Sequence, residues 1–315
     1  MDPLPDSFGL ERNLVNASSN TQSFLGRHEF LIRRLHSLTG LIPIGAFMTV
    51  HLLVNSSILN SPGTFQRNVY QIHSLGRALP LVEWSFIFLP ILFHGLFGLL
   101  IILGGLANTG HYPYVNNVRY VWQRVTGVIA FVFILLHVFH MHGWFHFEAW
   151  VNNIVIPLGG AQFRPFNAAS TLGVAMHGFV IPLLYAIGVF SCVYHFANGI
   201  WTMGITWGLW TSPGGQRRAN WIAVIVGVAL AAVGAGALIG AVTVNTSVAR
   251  EAEDAMYEAK VGAHLIEPTP EKRADDARSI SVAREETARP ARKKKRGGGG
   301  RKNKKRNPKK LQDEK

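Results

Sequence analysis

Five stretches of the chain, residues 35–59, 83–107, 120–143, 171–203 and 220–246, are long and apolar enough to cross a bilayer, and this constrains the fold before anything else does. A hydrocarbon core takes roughly 20 mostly apolar helical residues per crossing. Inside it every backbone N–H and C=O must be satisfied within the segment, which leaves helices for stretches of this length. The connections between them are polar. The sequence therefore predicts an all-α integral membrane protein in three parts. Residues 1–34 form a cytoplasmic N-terminal segment, 35–247 a five-helix transmembrane domain, and 248–315 a Lys/Arg-rich tail.

The tail begins where composition changes abruptly, through EAEDAMYEAK and TPEKRADDARS to a Gly/Lys/Arg run. Such a segment cannot bury a core and is expected to be disordered, apart from one short helix near 250–260. Residues 289–310 hold 13 Lys/Arg and no acid, so the formal net charge of +13 resides there and the rest of the chain is close to neutral. Phosphate contacts alone would let such a run bind RNA or anionic lipid. A solvated tail is the simpler expectation, and nucleic acid is not an expected partner.

Orientation follows the Lys/Arg bias of the short loops. Arg12, Arg27, Arg33, Arg34, Arg119, Arg124, Arg217 and Arg218 fall on one side, against Arg67, Arg77 and Arg164 on the other. This places the N-terminus in the cytoplasm and, after five crossings, the C-terminus and its basic tail outside. The opening MDPLPDSFGLERN has no basic region followed by an apolar core, so no cleavable signal peptide is expected.

Cys192 is the single cysteine. It excludes an intrachain disulfide, a four-cysteine iron–sulfur cluster and a C-x-x-C-H haem attachment. A redox cofactor on this chain needs other ligands, and histidines recur where a repeat would put them. RLHSLTGLIPIGAFMTVHLLV in the first helix parallels VWQRVTGVIAFVFILLHVFH in the third; both carry Thr-Gly and then a histidine, Gly40 to His51 and Gly127 to His137. FHGLFG (93–98) and YHFANG (194–199) share aromatic-His-x-x-x-Gly. The helix 1–2 hairpin thus reads as a weak duplicate of helices 3–4, forming a four-helix bundle with pseudo-twofold symmetry.

At about 1.5 Å per residue, His51 and His137 lie some 25 Å from the cytoplasmic ends of their helices and meet near the outer surface. His94 and His195 lie in the middle to inner half. A polar ring in hydrocarbon is costly unless satisfied, so such histidines are functional candidates first, with a hydrogen bond to a neighbouring helix as the plainer role. Four at matched depths favour haem, a flat apolar plate whose iron takes one neutral imidazole from each face. Gly45, Gly95, Gly98, Gly127 and Gly199 are compatible either with room for the macrocycle or with close helix packing.

RRLHSLTGLIPIG, VHLLVN, FLPILFHGLFG, QRVTGVIAF and HFANGIWTMGITWG together resemble the cytochrome b membrane anchor of succinate dehydrogenase and fumarate reductase, of the five-helix, di-haem type, over about residues 28–245. The resemblance implies His51, His94, His137 and His195 as axial ligands of two b haems, a proximal one on His94 and His195 and a distal one on His51 and His137. It implies a flavoprotein and an iron–sulfur subunit docked on the cytoplasmic face. It further implies electron transfer to a membrane quinone, expected to be menaquinone, in the cytoplasmic membrane. His36 and Ser37 match a polar pair near the proximal haem propionates, where Arg33, Arg34 and Arg124 are candidate counter-ions. The tail after about 248 has no counterpart in that pattern. No family quinone-site carboxylate is evident either, Glu83 and Glu148 being the acids near the outer helix ends.

Among the histidines of VTGVIAFVFILLHVFHMHGWFH, His137 alone is expected to ligate. His140, His142 and His146, with His177, read as interfacial residues beside Trp144 and Trp150, or as a proton path to quinone. His73, His111 and His264 carry no assignable role. In the fifth helix Gly236-x-x-x-Gly240 suggests close packing on a neighbouring helix or another protomer. The rival readings are a membrane non-haem metal oxygenase using the 137–146 histidines and an anchor for a different respiratory dehydrogenase.

Overall fold

In a computed structural model, which describes residues 24–105, 109–111 and 113–274, the chain runs α1 (Glu29–Leu59), α2 (Pro62–His73), α3 (Gly76–Leu103), α4 (Val115–His142), α5 (Ala168–Ala175), α6 (Val180–Thr206), α7 (Pro213–Thr243) and α8 (Thr246–Gly262). Helices α1, α3, α4, α6 and α7 are the five long and apolar enough to cross a membrane. Among the described residues there is no strand. The protein is all-helical and multi-pass, as the sequence predicts. Apolar side chains such as Leu96, Leu100, Leu136 and Leu183 stay exposed along the spans; they suit lipid rather than water.

Capping and proline decide the local geometry. Ser61 accepts the Thr64 N–H and Pro62 opens α2; Ser212 accepts the Gly215 N–H and Pro213 opens α7. Both pair a hydroxyl N-cap with a proline whose missing N–H costs nothing in the first turn. Two π-turns interrupt the spans, Gly40–Gly45 in α1 around Pro43, and Trp84–Phe88 in α3 just before Pro90. A proline inside a helix removes one backbone bond and crowds the carbonyl four residues back. A widened turn absorbs that mismatch.

Helices α1, α3, α4 and α6 form a ring in which α1 lies diagonally opposite α4, and α3 opposite α6. Helix α7 packs outside it on α6 and α1. A Cβ added to Gly240 would meet Ile58 at 2.3 Å, and one added to Gly236 would meet Leu59 at 3.0 Å. The small-residue stripe of α7 thus seats on α1 of the same chain. Turns near 59–62, 74–76 and 143–180, with α2, α5 and α8, make one end of the bundle, here the cap end. The other, basal end holds the start of α1, residues 104–105 and 113–114 that flank the α3–α4 connection, and the 207–212 turn.

The cap end departs from expectation twice. The apolar run from 171 is not one helix with α6, because Gly178 at φ +85 breaks it and detaches α5. The chain also does not become structureless at 248. Helix α8, expected as one short helix near 250–260, spans 17 residues, and packing continues to Ala274. The reason is Glu253, fully buried, whose carboxylate accepts the Ala169 N–H at 2.5 Å, the Ser170 N–H at 3.2 Å and the Ser170 hydroxyl at 2.5 Å. It caps the N-terminus of α5 from another helix, satisfying donors that a helix start leaves orphaned. Gln66 of α2 takes the Ala168 N–H at 2.9 Å and donates to Pro165 O at 2.8 Å. Asn167 bonds Asp254 and Ala274, and Tyr70, Phe166 and Tyr257 form an aromatic core between α2 and α8. Burial pushes the Glu253 carboxyl up, opposed by the Ser170 hydroxyl, the two amides and Arg250. The basic run 289–310 and the N-terminal residues before 24 lie outside the described residues.

Candidate functional site

The two pairs expected from depth meet across the diagonals of the ring. The rings of His94 (α3) and His195 (α6) centre 6.0 Å apart at 85°. Those of His51 (α1) and His137 (α4) centre 5.8 Å apart at 79°. Counted along α1 from Gly40, which touches His94, to His51, and along α4 from Gly127, which touches His195, to His137, the two levels are about 15 Å apart.

The basal pair is held by backbone. His94 Nδ1 lies 2.8 Å from the carbonyl of His36, and His195 Nδ1 lies 3.0 Å from the carbonyl of Gln123. Each carbonyl stands four residues before the glycine of a Thr-Gly pair. The threonine hydroxyls turn back onto the same stretch, Thr39 to the carbonyls of Leu35 and His36, and Thr126 to those of Trp122 and Gln123. The glycines let the rings in, since a Cβ on Gly40 would stand 2.3 Å from His94 Cε1 and one on Gly127 2.8 Å from His195 Cε1. The duplicated Thr-Gly therefore positions the histidine of the neighbouring helix, not the one three turns along its own. Gln123 also donates to His195 O at 3.1 Å and accepts from Asn198 at 2.5 Å; Asn198 in turn bonds Arg119.

The cap-end pair is held by side chains. Phe47 and Phe133, each four residues before its histidine, tilt against His51 and His137 at 32° and 31°. The Tyr185 hydroxyl lies 3.3 Å from His137 Nδ1 and 2.8 Å from His140 Nδ1.

No protein-family model matches the chain. It is 35% identical over 213 residues to the succinate dehydrogenase cytochrome b558 subunit of Bacillus subtilis (strain 168), a match that takes in 68% of this chain and 97% of that protein. The chain belongs to the family of succinate dehydrogenase cytochrome b subunits. Its cofactor class is thereby haem b, and its setting an enzyme complex.

Of the remaining candidate residues of this cytochrome b subunit, His36 lies against the basal pair, and Arg33, Arg34, Ser37 and Arg124 lie at the same end of the bundle. His36 stacks on His94, centroids 4.1 Å apart and 7° from parallel, and its Nε2 is buried without a partner. Arg34 lies over the rings of Phe30 and Trp207, with its Nε likewise buried and unpartnered. Ser37 Oγ accepts the Trp207 indole N–H at 2.9 Å. Arg33 pairs with Glu29 at 2.6 Å. Arg124 donates to the carbonyls of Gly105 and Ile101, closing the last turn of α3. Of the glycines near the histidines, Gly45 receives Phe196 and Gly95 receives Phe131, which is helix packing. His142 and His146 form an edge-to-face pair at 4.4 Å. Among the described residues no three His, Cys, Asp or Glu side chains converge to hold a metal.

Sequence reasoning missed Tyr185, Gln123 and Glu253. Gln123 announced itself only as an amide beside an apolar run, Tyr185 is one aromatic among many, and Glu253 stood in a segment read as solvated.

Proposed function

We propose that this cytochrome b subunit binds two b haems in series. His94 and His195 ligate the proximal one toward the basal end, and His51 and His137 the distal one toward the cap end. The observation that carries this is the pair of diagonal histidine couples, each near 6 Å between ring centres. A transition-metal ion takes an imidazole nitrogen at about 2 Å, so rings on its opposite faces centre about 6 Å apart. The donor chemistry fits as well. A main-chain carbonyl at Nδ1 of His94 and of His195 holds the proton there and leaves Nε2 as the ligand. The unpartnered buried nitrogens of His36 and Arg34 suit the carboxylates of a haem edge.

A haem held by such histidines would supply one-electron exchange. The chain's part is to hold the ligands rigidly and to keep the two levels in line. Electrons then run from an iron–sulfur subunit at the basal end toward membrane quinone, expected to be menaquinone. The basal end faces the cytoplasm in this reading, with the flavoprotein and iron–sulfur subunits against it. Arg27, Arg33, Arg34, Arg119, Arg124, Arg217 and Arg218 cluster there. Helix α8 and its extension bring Arg250, Lys260, Lys272 and Arg273 to the cap end beside Arg67, Arg77 and Arg164, so the described residues carry seven basic side chains at each end and the orientation rests on the short loops alone.

The test is haem b per polypeptide by pyridine haemochrome in the purified complex, for the parent, His51→Ala and His94→Ala. Two haems in the parent, with a different spectral component lost in each variant, is the expected result. One haem would remove one pair, and none would remove the assignment.

A further inference from the structure

The Tyr185 hydroxyl joins His137 to a histidine that the haem assignment leaves unused. Tyr185 comes from α6 and is 8% exposed, inside the cluster of Phe65, Met141, Leu172, Ala175 and Met176. Phe133 meets its ring edge-on at 5.3 Å. Its hydroxyl lies 3.3 Å from His137 Nδ1 and 2.8 Å from His140 Nδ1. Helix α5, which Glu253 caps, contributes Leu172 and Ala175 to the apolar cover over this group.

We propose that Tyr185 is a positioning residue for the cap-end haem ligand, and that His140 acts on that ligand through it. This rests on His137 being axial. A ring that gives Nε2 to iron keeps its proton on Nδ1 and is a donor there. The phenol has one proton and can accept as well as donate. The direction of the chain follows: His137 Nδ1–H donates to Tyr185 Oη, and Tyr185 O–H donates to His140 Nδ1. His140 therefore polarises the phenol and makes it a better acceptor for the ligand, as linked hydrogen bonds strengthen one another. The basal ligands have main-chain carbonyls in this place, which no side-chain replacement removes. The cap-end haem is the one whose ligand can be adjusted by substitution.

An acceptor at Nδ1 strengthens the ligand nitrogen and favours ferric over ferrous iron. Tyr185→Phe is expected to raise the midpoint potential of the cap-end haem and to shift its low-spin EPR signal, leaving the basal haem unchanged. His140→Phe, which keeps the phenol but removes its acceptor, should give a smaller rise. The double variant should match Tyr185→Phe alone, because His140 acts only through the phenol.

The experiment is a redox titration with optical and EPR detection on the intact complex, with haem content measured alongside. His137→Ala is the control for the ligand assignment: if it keeps both haems, that assignment is wrong. If His137→Ala loses the cap-end haem while Tyr185→Phe keeps it at the parent potential and signal, the Tyr185 proposal is overturned. Additive shifts in the double variant would overturn the role of His140. Should Tyr185→Phe fail to retain the cap-end haem, His140→Phe decides, an unchanged potential there overturning the chain of bonds and a raised one supporting it.

Discussion

The basal and cap-end histidine pairs have nearly the same ring separation, 6.0 and 5.8 Å, but different kinds of group hold them. Carbonyls of α1 and α4 grip the basal rings through a short motif that occurs twice. A phenol and two phenylalanines on other turns and helices hold the cap-end rings. A main-chain grip is rigid, needs glycine and threonine at fixed spacing, and leaves a mark in the sequence. A side-chain grip leaves almost none, and substitution can tune it.

The sharpest way to break this comparison is to fill the glycine seats. Gly40→Ala or Gly127→Ala puts a Cβ 2.3 or 2.8 Å from the basal histidine rings, and such overpacking costs about 1–3 kcal/mol in a packed core. A ligand ring has no free direction in which to yield. We expect loss of the basal haem from either variant, with the cap-end spectrum retained. Equal loss of both components, or of neither, would show that the Thr-Gly motif does not serve the basal pair selectively.

The cap should affect the other level. Glu253→Ala removes the acceptor of the Ala169 and Ser170 amides and the Ser170 hydroxyl; buried donors left unpaired cost about 1–3 kcal/mol each, less whatever water recovers. We expect a loss of about 3 kcal/mol in the docking of α5 and α8, read as earlier proteolytic cleavage after α7. The cap-end haem should be perturbed and the basal one spared. Glu253→Gln keeps an acceptor oxygen and should cost about 1 kcal/mol or less. A Glu253→Ala variant as protease-resistant as the parent would refute the clamp.

Gln123→Ala should do little, and that is its use. The group on His195 Nδ1 is the carbonyl of residue 123, not its amide. Only the bonds to Asn198 and His195 O are lost, at about 1 kcal/mol. A basal potential that stays at the parent value, against a cap-end potential that moves in Tyr185→Phe, would set the two kinds of grip side by side.

The same contrast explains what was legible. The five spans could be read because twenty apolar residues in a row have few other uses. Pairing by depth could be read because helical rise converts residue number to height. The cap could not. The break at Gly178 lies in a run apolar on both sides, so hydropathy joins α5 to α6. Helix α8 has the composition of a solvated segment, and its docking hangs on Glu253, Ala249 and Tyr257 facing one way. Tyr185 matters only because α6 brings it beside α4, a contact of long sequence separation that no local pattern encodes.

A further effect is a pH dependence confined to the cap. His73 ends α2 edge-on to Phe166 at 6.1 Å. Burial, then the charge of Lys272 and the proximity of His142, lower its pKa from 6.5 to about 4. In a detached cap the ring would protonate near 6.5; docked, it resists down to about 4. The docked state therefore keeps its full stability above pH 6.5 and loses it as pH falls from there toward 4. Glu253 works in the opposite sense: its carboxyl is pushed up by burial, so acid adds its proton at no penalty to docking. Protease cleavage after α7 should then quicken between pH 7 and 5 in the parent, and His73→Gln should flatten that dependence without altering cleavage at pH 7.5. A variant that keeps the parent's slope would move the acid sensitivity to another group and leave His73 as a packing residue.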